Sequence, residues 1–150
     1  MVAANGGATQ ERAEHYVAVG WSADKPGPYT FSVYVRGQDQ ADIRMQLLDA
    51  RTNGAIVDFA VASGVFDLSK VGSASDLDFV AKPAGGGWVR LSLTARLLVS
   101  NGSVIFQLTK GLGNINFAGG STRQLMQAPM VERGETASQF CRPADCRRTN

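Results

Sequence analysis

Residues 29–36 read Tyr-Thr-Phe-Ser-Val-Tyr-Val-Arg, and this stretch decides the fold class. A large apolar side chain stands at every second position from Tyr29 to Val35, with Thr30, Ser32 and Tyr34 between them. A period of two places alternate side chains on opposite faces of a β-strand, so that one face can pack on a core while the other meets solvent. The stretch therefore predicts a half-buried strand.

The same period of two recurs along most of the chain. Further strands are predicted over 42–47, 56–61, 76–81, 88–97 and 103–108, with a weaker one over 125–131. No window of eleven or more residues carries an apolar stripe of helical period, so we expect helix in less than about 15% of the residues. The inward positions predict a core that includes Phe31, Val33, Leu91, Leu93 and Phe106.

Turn sequences rich in glycine, proline and asparagine separate these strands. The dipeptides Asn53-Gly54 and Asn101-Gly102 are the type that accepts positive φ in tight hairpin turns. They predict antiparallel hairpins between 42–49 and 55–62 and between 88–99 and 103–109. Eight or nine short strands in 150 residues favour an all-β fold, a two-sheet antiparallel jelly-roll sandwich, over a closed up-and-down barrel.

Composition limits the classes of protein to which the chain can belong. A length of 150 residues with 44% hydrophobic residues fits one domain with a core of its own. Fifteen Lys and Arg against thirteen Asp and Glu are too balanced to indicate a nucleic-acid surface. No apolar run approaches the about 18 residues of a membrane span, and residues 1–10 lack the features of a signal peptide. We expect no nucleic-acid partner and no membrane partner.

The residue inventory argues against catalysis and against bound cofactors or metals. His15 is the one histidine, and Cys141 and Cys146 are the only cysteines, whereas a zinc site usually needs three or four such ligands. A nucleophile elbow and a P-loop are both missing from the sequence. His15 is interpreted as a strand residue. Four aspartates are interpreted as solvated carboxylates rather than calcium ligands, because the twelve-residue calcium loop is missing: Asp58, Asp67, Asp76 and Asp78.

Three segments carry a resemblance to a known family. They are residues 29–36, residues 87–94, which read Gly-Trp-Val-Arg-Leu-Ser-Leu-Thr, and residues 130–140, which read Met-Val-Glu-Arg-Gly-Glu-Thr-Ala-Ser-Gln-Phe. In this order they resemble the jelly-roll domains, similar to carbohydrate-binding modules, that recur in phage virion and tail proteins and in polysaccharide-acting enzymes. The resemblance covers residues 11–140 and implies a jelly roll with a binding or structural role.

Two ends of the chain depart from that family. We divide the chain into an N-terminal arm (1–10), the jelly-roll domain (11–140) and a basic C-terminal tail (141–150). Family members carry further strands ahead of the segment that residues 11–19 resemble, so we expect a sheet that lacks an edge strand and that another chain could complete by strand addition. We expect the arm to pair with a sheet edge of its own or another chain, and both ends to contact neighbouring subunits.

The tail carries two cysteines and three arginines of interest. Cys141 and Cys146 could form a disulfide or remain free thiols, and the sequence leaves both states open. We expect Arg142, Arg147 and Arg148 to meet acidic groups on a partner.

Five side chains are candidates for glycan binding or for a subunit interface: Trp21, Tyr34, Arg36, Trp88 and Arg90. Sugar rings stack on flat apolar faces, and aromatic residues and arginine are enriched at interfaces. The sequence favours a non-enzymatic structural protein of a phage virion, either a capsid decoration (cement) protein or a small tail or tail-fibre component. Such a protein would form a homo-oligomer, with a trimer favoured, and bind other virion proteins. The alternative is a glycan-binding module or receptor-binding tip that recognises a polysaccharide.

Overall fold

The computed structural model describes residues 2–3, 13–37, 42–117 and 123–139, which form strands and no helix. The prediction of scarce helix is therefore confirmed for the described part of the chain. The strands are β1 (Val2–Ala3), β2 (Ala13–Ser22), β3 (Gly27–Gly37), β4 (Asp42–Asp49), β5 (Gly54–Phe59), β6 (Phe66–Val71), β7 (Ser75–Gly85), β8 (Trp88–Leu97), β9 (Asn101–Thr109), β10 (Asn116–Phe117) and β11 (Arg123–Arg133).

The strands form two antiparallel sheets that pack face to face. The front sheet has the order β1-β11-β3-β8-β7, and the back sheet has the order β10-β2-β9-β4-β5-β6. β2 pairs with β9 in the back sheet while the intervening β3 and β8 pair in the front sheet, which gives the nested pairing of a jelly roll. The predicted all-β antiparallel jelly-roll sandwich is confirmed.

The core lies between the sheets and is built from the alternate apolar positions of both. Phe31, Val33, Leu91, Leu93 and Phe106 are each at most 2% exposed, so the predicted core residues are buried as expected. Most of the other buried apolar side chains come from the same strands and from β4 and β5. A half-buried strand needs such a partner sheet because one apolar face must be removed from water.

One of the two predicted hairpins is correct. β4 pairs antiparallel with β5 as predicted, and the register places Met45 opposite Val57. The hairpin between 88–99 and 103–109 is wrong, because β8 pairs with β3 and β7 while β9 pairs with β2 and β4 in the other sheet. Leu93 and Phe106 fill the same core from opposite sides. The connection from β8 to β9 crosses from the front sheet to the back sheet. It is held by Ala23 N, which donates a hydrogen bond to Ser100 O at 2.7 Å.

Gly54 and Gly102, the glycines of the two Asn-Gly dipeptides, are needed because the neighbouring backbone lies too close for a side chain, and neither has a positive φ. In the turn between β4 and β5, the residue with positive φ is Thr52, at 60°. A Cβ at Gly54 would lie 1.9 Å from Leu47 O, and a Cβ at Gly102 would lie 2.0 Å from Leu48 O. A side chain at either position would displace the neighbouring backbone, so glycine is required there for steric reasons.

The N-terminal arm contributes a short strand to the front sheet of its own chain. β1 pairs antiparallel with β11 through Val2 opposite Gln124 and Ala3 opposite Arg123. The pairing reaches only the first residues of β11, so the rest of that edge of β11 has no partner strand among the described residues.

Candidate functional site

Four of the five predicted site residues lie together on the outer face of the front sheet. β3 and β8 pair with Tyr34 opposite Arg90, and Arg36 and Trp88 follow on the same face at the same end of the two strands. The sequence placed each of these side chains on the solvent side of its strand, and the register of β3 with β8 brings them side by side. We call this group the aromatic-arginine face.

Each aromatic ring on the aromatic-arginine face carries a guanidinium group on one side. The guanidinium carbon of Arg36 lies 5.1 Å from the centroid of the Trp88 ring, and that of Arg90 lies 5.3 Å from the centroid of the Tyr34 ring. These are favourable cation–π distances. A sugar could stack on either ring only on the face that the arginine does not cover, or by displacing the arginine.

A segment after β11 crosses the outer face of the front sheet. This strap, residues 134–139, is fixed by Gly134 N, which donates to Pro28 O at 3.0 Å, and by Thr30 Oγ1, which donates to Gly134 O at 2.9 Å. Thr94 Oγ1 lies 2.8 Å from Thr30 Oγ1 and 3.4 Å from Glu135 O. Thr30 and Thr94 are 0% and 4% exposed although they point away from the core. The strap therefore buries a polar strip of the sheet.

Arg90 connects the aromatic-arginine face to the strap. Its Nη2 donates to Ser32 Oγ at 3.1 Å and to Ser138 O at 2.5 Å. Ser138 N in turn donates to Glu132 Oε1 at 2.9 Å. The Arg90 guanidinium also stacks on Tyr34. Arg90 therefore fixes the Tyr34 ring, the Ser32 hydroxyl and the end of the strap at Ser138.

A second arginine borders the strap at the other end of β8. Arg96 Nε donates to Asp76 Oδ2 at 2.5 Å, and its Nη2 lies 3.5 Å from Glu135 Oε1. The hydrogen bond that Arg96 donates to Asp76 and the negative charges of Asp76 and Glu135 raise the pKa of the Arg96 guanidinium. The charge of Arg96 therefore faces carboxylates from both β7 and the strap.

Trp21 lies apart from the other four predicted site residues. Its ring packs against Tyr29 with 4.9 Å between the ring centroids, and its Nε1 donates to Leu48 O at 3.3 Å. The side chain closes one end of the sandwich and is partly buried. Its neighbours are core residues and not the aromatic-arginine face.

An apolar groove opens along the side of the sandwich, between β2 of the back sheet and β11 of the front sheet. This side groove has a volume of about 300 Å³, and the core residues Phe31 and Phe106 line its floor. Val17 and Val19 line it from β2 and are 39% and 53% exposed. This groove was not predicted from the sequence, although the alternation of Val17, Val19 and Trp21 along β2 is the signal that identifies its wall. Its lining from β11 is Met126, Pro129, Met130 and Val131.

A polar hollow lies on the outer face of the back sheet. Arg44 donates to Asp58 through Nε at 2.9 Å and Nη2 at 2.8 Å, and this hydrogen-bonded pairing raises the pKa of the Arg44 guanidinium although burial opposes the shift. Gln46 Nε2 donates to Gln107 Oε1 at 2.9 Å. Tyr16, which is 54% exposed, stands at the rim. The hollow thus combines an aromatic ring with planar polar groups.

The remaining predicted residues are those of the C-terminal tail, the four aspartates and His15. Cys141, Cys146, Arg142, Arg147 and Arg148 lie outside the described residues. Two of the four aspartates are in ion pairs, Asp58 with Arg44 and Asp76 with Arg96. Within the described ranges, no group of three or more His, Cys, Asp or Glu is placed to hold a metal ion. His15 is a β2 residue that pairs with Leu108 of β9.

Comparison of the chain with models of protein families gives no match, and comparison with curated proteins gives none either. In the described part of the chain, the search for a helix able to cross a membrane finds none. The side groove and the two outer faces are therefore the features from which a function can be inferred.

The hydrogen bonds of Arg90 predict that Arg90→Ala loosens the strap. Loss of the donor to Ser138 O and of the stacking on Tyr34 should lower the free energy of unfolding by about 1–2 kcal/mol. The amide of Ser138 should exchange with solvent at least about tenfold faster, because its bond to Glu132 depends on the position of the strap. Hydrogen exchange followed by mass spectrometry or NMR measures this.

Arg36→Ala is the matched control. It removes the equivalent guanidinium from Trp88 but no hydrogen bond to the strap. Equal exchange rates in the strap for the two variants would show that Arg90 does not hold it.

Proposed function

We propose that the chain is a non-enzymatic structural protein of a phage virion, a capsid decoration (cement) protein or a small tail component. In this function the jelly roll is a rigid unit that assembles with copies of itself and with other virion proteins. The phage setting is supported by the resemblance of residues 29–36, 87–94 and 130–140 to virion and tail jelly rolls.

The side groove is the observation that carries an assembly function. Val17 and Val19 point inward, toward the space between the sheets, yet they remain 39% and 53% exposed. Inward apolar positions of a sandwich are normally covered by the opposite sheet. An apolar groove beside an uncovered sheet edge is typical of a surface that another chain completes.

The outer face of the front sheet is consistent with a rigid unit. Arginine–aromatic stacking and hydrogen bonds to the strap hold the side chains of the aromatic-arginine face in place. A pre-ordered surface loses little conformational entropy when subunits associate.

Immunogold electron microscopy of phage particles from the source of the gene tests the proposal. Antibodies against the purified chain should label intact particles at regular positions, and the chain should co-purify with particles in fixed stoichiometry. Absence of the chain from purified particles would refute the virion assignment.

Glycan binding is the second candidate function, and the polar hollow on the back sheet favours it. Tyr16 offers an exposed ring beside the Gln46–Gln107 amide pair and the Arg44–Asp58 pair, a combination that can stack on a sugar and bond to its hydroxyls. Retention of the chain on an immobilised polysaccharide, lost in Tyr16→Ala, would favour this function over a purely structural one.

A further inference from the structure

Along most of its outer edge, β2 has no partner strand in the described part of the chain. β2 pairs with β9 in an unbroken register from His15 opposite Leu108 to Ser22 opposite Asn101. On its other side, β10 pairs only with Ala13 and Glu14. Among the described residues, no strand pairs with the rest of that edge.

The hydrogen-bond pattern tells which groups of β2 point outward. Ala23 N donates to Ser100 O, so Val17, Val19 and Trp21, spaced by two residues from Ala23, share hydrogen bonds with β9. In an antiparallel ladder the intervening residues point their N–H and C=O groups the other way. Tyr16, Ala18 and Gly20 therefore point N–H and C=O groups outward at the sheet edge, where no described strand pairs with them beyond the reach of β10.

The sequence of this edge differs from that of the other edges. Residues 16–22 read Tyr-Val-Ala-Val-Gly-Trp-Ser, with no charged residue. The opposite edges carry the usual protection against strand pairing: β6 has Asp67 and Lys70, and β7 has Lys82 and Pro83. The edge of β11 across the groove is interrupted by a bulge between Gln127 and Met130 that contains Pro129, which cannot donate a hydrogen bond.

The residues outside the described ranges have no alternating apolar pattern in their sequence. The residues outside the described ranges contain two large apolar side chains by sequence, Met1 and Phe140, at opposite ends. A strand that completes the groove needs apolar side chains at alternate positions. The 16–21 segment has this pattern in Val17, Val19 and Trp21.

We propose that β2 pairs antiparallel with β2 of a second copy of this chain, so that two back sheets join into one continuous sheet. A two-fold axis brings the same uncharged stretch of each copy together, and such self-complementary interfaces are the commonest in homo-oligomers. The pairing satisfies the outward groups of Ala18 and Gly20 and covers Val17 and Val19 of both copies. The inference rests on the proposed assembly function and names its interface. It predicts an even number of copies, in contrast to the trimer that the sequence favours.

Ala18→Pro tests this pairing in the full-length chain. The substitution removes an outward N–H and places a ring at the interface, while the bonds of β2 to β9 through Val17 and Val19 remain. Sedimentation equilibrium should show a dimer for the unchanged protein and a dissociation constant raised at least about tenfold for the variant. Ala84→Pro, on the exposed edge strand β7 beside Pro83, is the matched control and should dimerise like the unchanged protein.

Two further measurements keep the test decisive if Ala18→Pro unfolds. Val19→Lys leaves the backbone intact and places a charge at the groove, so it should also weaken the dimer at least about tenfold. In the unchanged protein, the amides of Ala18 and Gly20 should exchange slowly in the dimer and quickly on dilution to the monomer, whereas those of Val17 and Val19 stay protected throughout.

Several outcomes would overturn the pairing: a monomer at all concentrations, a trimer, a dimer unaffected by Val19→Lys, or rapid exchange of Ala18 and Gly20 in the dimer. A monomer would indicate that a different protein chain, and not a second copy, pairs with the outer edge of β2. These results do not depend on particle labelling. If the chain dimerises but is missing from particles, the β2 pairing stands and the virion function is refuted. If particles are labelled but the chain is monomeric, the virion function stands and the β2 pairing is refuted.

Discussion

Phe106→Ala should lower the free energy of unfolding by about 3–5 kcal/mol, the usual cost of replacing a fully buried phenylalanine. Phe106 is 2% exposed in β9 and lies opposite Met45 of β4 and Val17 of β2. The substitution removes the ring and leaves a cavity that the two rigid sheets close only in part. Because a domain gains only about 5–15 kcal/mol on folding, the loss is a large share of the stability. Urea titration followed by tryptophan fluorescence measures it.

Phe31→Ala should have an effect of the same size, since Phe31 is also 2% exposed and lies in β3 of the opposite sheet. Phe66→Ala is the matched control. Phe66 is 49% exposed on the edge strand β6, where it packs against Phe79 at 5.0 Å between ring centroids. We expect it to lose at most about 1 kcal/mol. Equal midpoints for Phe106→Ala and the unchanged protein would place Phe106 outside the core.

The strands of the core could be predicted because their side chains alternate. β3, β8 and β9 each place apolar residues at every second position, and nearly all of these apolar positions are buried, although outward polar residues such as Thr30 and Thr94 are buried as well. The period reports the environment of each strand, one face in the core and one face outside. It does not report which strand lies alongside, which is why the hairpin between β8 and β9 was predicted wrongly.

β6 was missed because it buries little of its side-chain surface. Leu68 packs against the core and Phe66 contacts the core residue Phe79, but Phe66, Asp67 and Lys70 are exposed. The strand forms by pairing with β5, with Asp67 opposite Asp58. Backbone pairing of this kind leaves no periodic signal in the side chains.

The aromatic-arginine face was partly predictable, and the strap was not. Tyr34, Arg36, Trp88 and Arg90 could be assigned to the outer sides of their strands from the period of two. That they meet depends on the register of β3 with β8. The strap is held by bonds such as that of Thr30 to Gly134, 104 positions apart in the chain, and no local pattern in residues 134–139 indicates such a partner.

The three segments that carry the family resemblance are neighbours in the fold. Residues 29–36 lie in β3, residues 87–94 lead into and form most of β8, and residues 130–139 of the third segment run from β11 into the strap. β11, β3 and β8 are adjacent in the front sheet. The three segments therefore form one connected part of the front sheet with its strap. Phe31, Met130 and Val131 of these segments also line the side groove, whereas the edge of β2 lies outside them.

One carboxylate joins two loops at one end of the sandwich. Asp49 is 4% exposed, and its Oδ1 accepts hydrogen bonds from Arg51 N and Asn53 N, each at 2.9 Å. Its Oδ2 accepts from Leu98 N at 3.1 Å in the connection that crosses from β8 to β9. The side chain of Asn53 bonds to the same carboxylate and accepts from Ser73 N at 2.9 Å, which extends the network to the turn before β7.

Asp49→Ala should therefore lower the free energy of unfolding near neutral pH by about 3 kcal/mol, because it leaves the buried N–H group of Asn53 and the part-buried N–H group of Leu98 without an acceptor. Asp49→Asn keeps the shape and one acceptor oxygen, so we expect a loss of about 1–2 kcal/mol. Asp67→Asn, a substitution of an exposed aspartate in β6, is the control and should change stability little.

The effect of Asp49 should also depend on pH in a defined direction. Burial of the carboxylate raises its pKa, but the hydrogen bonds from Asn53, Leu98 and Arg51 outweigh burial, and the pKa is lowered. A lowered pKa means that the folded state binds a proton less readily than the unfolded state, so the ionised group stabilises the fold at pH values above the unfolded pKa. That contribution is lost as the pH falls through the folded pKa. The difference in unfolding free energy between the unchanged protein and Asp49→Asn should be largest near neutral pH and shrink in acid, in urea titrations over that range. A difference that stays constant or grows as the pH falls would show that the ionised carboxylate does not hold these loops together.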